Sequence, residues 1–135
     1  MNEEQKSRLE FLRDASRNRK LSPEGRVELS QLHKIEKQEE INSIGVENYN
    51  WLTDLLCRHD PIKLTKFDAP KDEYEYEARM ILSEIKKLNE APNAGQLLEM
   101  IHEVFVFAFG IETAGRLNAY FEISEEVMTN MEKLR

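Results

Sequence analysis

Between His59 and Leu88 the chain reads HDPIKLTKFDAPKDEYEYEARMILSEIKKL: a helix-stopping Asp-Pro, a short acidic loop, then a strongly amphipathic helix. Tyr74, Ala78, Ile81, Leu82, Ile85 and Leu88 fall at i, i+4, i+7, i+8, i+11 and i+14. That spacing puts all six on one side of a helix and makes a buried face there the simplest use of them. The expected helix starts near Asp72, where Asp72 and Glu73 suit the positive end of the dipole, and reaches Leu88. Upstream, Asp60 precedes a proline and is driven out of the helical region, so a preceding helix ends there. The loop between them is expected to be anchored by Leu64 and Phe67.

The flanking segments repeat this grammar. A first helix is expected from an Asn2 cap to about Arg17, with Leu9, Leu12 and Ala15 on a narrow apolar stripe. Ser22-Pro23-Glu24 starts a second helix, running to about Ser43, with Val27, Leu29, Leu32, Ile35 and Ile41 on its apolar side. A third begins at Glu47 or Asn50 and buries Trp51, Leu52, Leu55 and Leu56. Another runs from Asn93 or Ala94 to Gly110 and, with Leu97, Leu98, Ile101, Val104, Phe105, Ala108 and Phe109, reads as the central one. A last helix covers about Phe121 to Leu134. The expected architecture is all-α: an antiparallel helical hairpin over residues 1–45 and a compact four-helix bundle-like unit over residues 46–135.

Composition narrows the chemistry. Only 5 Gly and 4 Pro interrupt 135 residues, of which 33% are charged, as suits a helical protein. No apolar run is long enough to cross a membrane, and the first residues lack the apolar stretch of a secretory signal, so a cytoplasmic protein without a membrane partner is expected. Cys57 is the single cysteine, which excludes an internal disulfide and a cysteine-based zinc site. Residues 1–45 carry nine Lys/Arg and nine Asp/Glu; residues 46–135 carry ten and seventeen, and so hold the whole net charge of −7. Nucleic acid is a disfavoured partner for such a chain.

Residues from about Tyr49 to Met131 resemble the bacterial family called domain of unknown function 1871. The resemblance rests on Asp60-Pro61, Asp72-Glu73-Tyr74, Glu77-Ala78, Ile81 and the Leu97-to-Phe109 helix ending Ile-His-Glu-Val-Phe-Val-Phe-Ala-Phe-Gly. It implies a compact four-helix unit and no particular activity. Residues 5–43 are more weakly similar to the two-helix hairpin of domain of unknown function 896, through Leu9, Leu12, Lys20-Leu21-Ser22-Pro23-Glu24 and Leu29.

No catalytic constellation emerges from the motifs. Asp68, Asp72, Glu73, Glu75 and Glu77 suggest a hard-cation site, but the EF-hand pattern is missing, and the plainer reading is a solvated acidic helix start. His102-Glu103 lacks the second histidine of a zincin helix. Cys57 and His59, two apart on a helix, do not face one another. His59 more simply terminates its helix beside the carbonyls, and the cations at residues 17–20 do the same for theirs.

No catalytic residue, cofactor or metal ligand is therefore assigned. The expected function is a non-enzymatic protein–protein interaction module of a small bacterial or phage protein, acting on a protein partner or by self-association. Leu9, Leu12, Leu29 and Leu32, on a stripe too thin to be a self-sufficient core, are the candidate partner-binding residues, with Asp72, Glu73, Glu75 and Tyr76. Two alternatives stand beside it. One is an acidic inhibitor or decoy from a phage or mobile element that occupies a nucleic-acid- or nucleotide-handling host protein. The other is a metal-dependent enzyme built on Glu73, Glu77 and Glu103.

Overall fold

A computed structural model describes residues 1–63 and 74–135, and all regular structure among them is helical. The chain divides into two compact units, Met1–Ser43 and Ile44–Arg135, two residues before the boundary expected from sequence. Among the described residues no helix is long and apolar enough to cross a membrane. The expected anchors Leu64 and Phe67, the acid Asp68 and the expected helix start at Asp72-Glu73 lie outside the described residues.

The first unit holds α1 (Glu3–Arg17) and the body of α2 (Pro23–Ile44). Asn2 and Gln5 form a reciprocal capping box: the Gln5 amide donates to Asn2 Oδ1 at 2.7 Å, and the Asn2 amide to Gln5 Oε1 at 3.1 Å. Ser22 Oγ accepts from the Gly25 amide at 3.0 Å and so caps α2, as its Ser-Pro-Glu signature predicts. The chain folds back on itself, since the Met1 amine meets Glu39 and the Arg8 guanidinium meets Glu28 in two hydrogen bonds of 2.7 and 2.8 Å. Leu9, Leu12 and Leu32 are buried together, with Met1, Leu21 and Leu29 packed around them. The stripe expected to need another surface is thus closed within this unit. Val27 and Ile35, expected on the buried side, are instead exposed.

The second unit begins with α3 (Val46–His59), entered through Gly45 at a positive φ of 94° that favours glycine. Its buried face is Tyr49, Leu52, Leu55 and Leu56; Trp51, expected there, is only half-buried because the helix phase is set one step away from it. Asp60 ends α3 in the left-handed region at φ 46°, a conformation Asp tolerates better than most residues. Its side chain accepts from the Tyr74 hydroxyl at 2.7 Å, which ties the end of α3 to the start of α4 (Glu75–Lys87). Tyr74, Ala78, Ile81, Leu82 and Ile85 are buried as their period predicts. Leu88, one residue past the last helical turn, is exposed.

Helix α5 (Ala94–Phe109) is central: it packs against α4, α6 (Ile111–Ala114), the 3₁₀ turn Leu117–Tyr120 and α7 (Phe121–Thr129). A second capping box, Asn93 with Gln96, starts it, and Gly110 at φ 86° ends it. Phe105 is fully buried, with ring centroids 4.9 Å from Tyr120, 5.9 Å from Phe109 and 6.0 Å from Tyr74. Burying a phenyl group of this kind stabilises by roughly 1.5–3 kcal/mol, and each well-placed ring pair adds to it. The expected single last helix is broken at Asn130 into α7 and α8 (Met131–Leu134). Asn130 Nδ2 donates to the Glu126 carbonyl at 2.9 Å, which favours that break. Asn48 Nδ2 donates to the Lys133 carbonyl and Arg135 Nη2 to the Leu88 carbonyl, both at 3.0 Å, so the last turn is stitched to α3 and α4.

Candidate partner-binding groove

The N-terminal turn of α5 and the length of α7 leave a groove of about 620 Å³ between them. Asn93 fixes where α5 starts, and that places Ala94, Gly95 and Leu98 along one wall. The small residues keep this wall low. A Cβ built on Gly95 meets only Asn93 Oδ1, at an ordinary 3.5 Å. The other wall is α7, with Phe121 and Met128 offering apolar surface to the groove and Glu125 and Glu126 supplying carboxylates. Phe121 is 52% exposed, although α7 buries Ile123 and Val127 on its inner side. The lining is therefore mostly apolar, with two carboxylates on the α7 side and a methionine able to adapt its shape.

Helix α7 is held in place by His59 at the end of α3. The imidazole Nε2 lies 2.6 Å from Glu126 Oε2, and Nδ1 lies 3.8 Å from Glu122 Oε2. On α5, His102 Nε2 sits 2.9 Å from the Gly115 carbonyl, its ring 5.5 Å from that of Tyr120. Burial pushes the Tyr120 phenol up to about 12, because the phenolate loses its hydration there. His33 faces Arg13 Nη2 at 3.3 Å. Each of the chain's 3 histidines is thus engaged by a neighbour from another helix or loop.

The sequence-derived candidates are dispersed rather than gathered. Leu9, Leu12 and Leu32 are covered inside the first unit and Leu29 packs on their edge, so none of them forms an open stripe. Asp72 and Glu73 lie outside the described residues. Glu75 is half-buried in the first turn of α4, and Tyr76 is exposed with the Arg79 guanidinium 5.9 Å from its ring centre. Glu77, read as part of a solvated acidic start, is only 3% exposed, since it follows the buried Tyr74 by three residues and shares its side of the helix. Glu103 lies exposed on α5. Among the described residues no three His, Cys, Asp or Glu side chains assemble in a way that could hold a metal ion.

Sequence reasoning missed the groove. Its one sequence signal is a second apolar line on α7, Phe121 and Met128 seven residues apart, matched by Ala94 and Leu98 four apart on α5. No protein-family model matches the chain, and no curated protein or solved structure matches it significantly.

Proposed function

We infer that this protein acts by binding another protein, without catalysis, and that the α5–α7 groove is its recognition surface. The observation that carries this reading is an open groove with Leu98 on its α5 wall, Phe121 and Met128 on its α7 wall, and the carboxylates of Glu125 and Glu126 in the same lining. An apolar lining with carboxylates beside it suits one or two apolar anchors presented by a helix whose flanks carry Lys or Arg.

The test uses the whole chain, immobilised, beside Leu98→Glu and Gly95→Gln variants. Both positions line the groove, and Gly95 has room for a side chain, so neither change should lower the melting temperature appreciably. A protein retained in stoichiometric amount by the parent chain and lost by both variants is the expected result. Identical retention by all three chains would overturn the reading.

A further inference from the structure

The first unit carries a candidate site of its own. A shallow depression of about 470 Å³ opens along α2, lined there by Arg26, Ser30, His33, Lys34 and Lys37. These residues fall at i, i+4, i+7, i+8 and i+11 and so share one side of the helix. Helix α2 as a whole carries five Glu against three Arg or Lys, but none of the five lines the depression. Glu28 is held by Arg8 at 2.7 Å, Glu36 by Arg13 at 2.6 Å and Glu39 by the Met1 amine, all on the side that meets α1. Glu40 is engaged as well, and Glu24, two residues before Arg26, stands on the other side of the helix from it. Arg26 and Lys34 are exposed, and among the described residues neither has an ion-pair partner. The acids of α2 thus serve the contact with α1, while its cations are left together on the open side. His33 adds a donor: Arg13 Nη2 can only donate, so His33 Nδ1, 3.3 Å away, accepts, and the ring hydrogen sits on Nε2. With the Ser16 and Ser30 hydroxyls, the depression offers cations and donors and no carboxylate.

We propose that this depression binds a short chain of linked phosphates, a di- or triphosphate, free or carried by a small organic group. Arg26 and Lys34 stand eight residues apart, about 12 Å along the helix axis, with Ser30 midway. A single phosphate would engage one of them; two or three linked phosphates reach from one to the other across Ser30 and His33. Guanidinium and ammonium groups bind phosphate oxygens through charge-assisted hydrogen bonds, the strongest kind available to side chains. Size and charge both favour a small ligand. A volume of about 470 Å³ is that of a small-molecule site. The net charge of −7 repels a long polyanion that would run past the stripe, whereas a short one meets only the cations. Leu21 and Leu29, also in the lining, give apolar surface to an organic carrier. The proposal does not rest on the α5–α7 groove and stands or falls without it.

The test titrates the whole chain, in magnesium-free buffer at low salt, with inorganic tripolyphosphate, with ATP and with adenosine, reading affinity by calorimetry and location by amide shifts in NMR spectra. Both phosphate probes are expected to bind saturably, one per chain, with the shifts centred on Ser30 and His33. Arg26→Gln with Lys34→Gln should weaken that binding at least about tenfold. Lys86→Gln with Lys133→Gln makes the same change in net charge on the second unit and should leave it within about twofold of the parent. All four positions are exposed, so the melting temperatures should stay close to the parent's. Ser30→Glu, also at an exposed position, sets a carboxylate in the middle of the stripe without removing a cation and should abolish binding. Tighter binding of ATP than of tripolyphosphate identifies an organic carrier resting on Leu21 and Leu29; equal binding identifies the bare phosphate chain as the ligand. Failure of both phosphate probes to saturate, equal weakening by the two charge-removing pairs, adenosine bound as tightly as ATP, or shifts centred away from Ser30 would each overturn the proposal.

Discussion

Replacing Tyr74 with Phe deletes one hydroxyl from the centre of the second unit while keeping the ring that packs on Phe105. The deleted group donates to Asp60 Oδ1 at 2.7 Å; Tyr74 is fully buried and Asp60 nearly so. A hydrogen bond to a charged acceptor contributes roughly 1.5–3 kcal/mol, and the shielding from water puts Tyr74→Phe at about 2 kcal/mol of destabilisation. For a unit of this size that lowers the melting temperature by roughly 8–16 °C. Asp60→Asn is the informative companion, since Asn tolerates the left-handed backbone equally well and keeps an acceptor oxygen without the charge. In that background Tyr74→Phe should cost only about 1 kcal/mol, the ordinary value for a neutral pair. Urea unfolding of the four chains, followed by circular dichroism, measures both numbers with the denaturant slope as a control. A Tyr74→Phe chain within about 0.5 kcal/mol of the parent, or equal losses in both backgrounds, would refute the reasoning.

Two titrations test the electrostatics. The hydrogen bond from Arg8 holds the Glu28 carboxyl below its usual range, so its stabilising effect is present at neutral pH and lost as pH falls through that lowered value; the melting difference between the parent and Glu28→Gln should vanish in acid, and a difference that grows there counts against the pair. Tyr120, raised by burial to about 12, favours the folded state up to the ordinary tyrosine range and loses that contribution as pH climbs from there through about 12; ultraviolet titration should show one fewer late-ionising phenol in Tyr120→Phe than in the parent.

Much of the helix grammar was legible because local chemistry decides it. Asn2 and Asn93 cap their helices through their own side chains, Gly110 ends α5 where only glycine is comfortable, and Asp60-Pro61 stops α3. The period from Tyr74 to Ile85 identified the buried side of α4 because that helix is apolar on one face alone. Reading failed where tertiary phase decides. In α2 the apolar residues are spread around the helix, and the leucines at 29 and 32 took the inner side, leaving Val27 and Ile35 outside. In α3 the burial of Tyr49 in place of Trp51 reflects a rotation that spacing alone does not fix. Glu77 was misread because an acid near a helix start is normally solvated, and its burial follows from its place beside Tyr74. The groove was illegible for a related reason: it exists only because α7 comes to rest against α5, and no local pattern announces which distant helices meet.

The central position of α5 has one more consequence. A helix hemmed in by α4, α6, α7 and the 3₁₀ turn cannot tilt or slide without repacking all of them, so one bank of the groove is immobile. A partner docking in the groove as proposed is expected to meet a preformed wall on the α5 side and to spend its ordering entropy mainly on the α7 side.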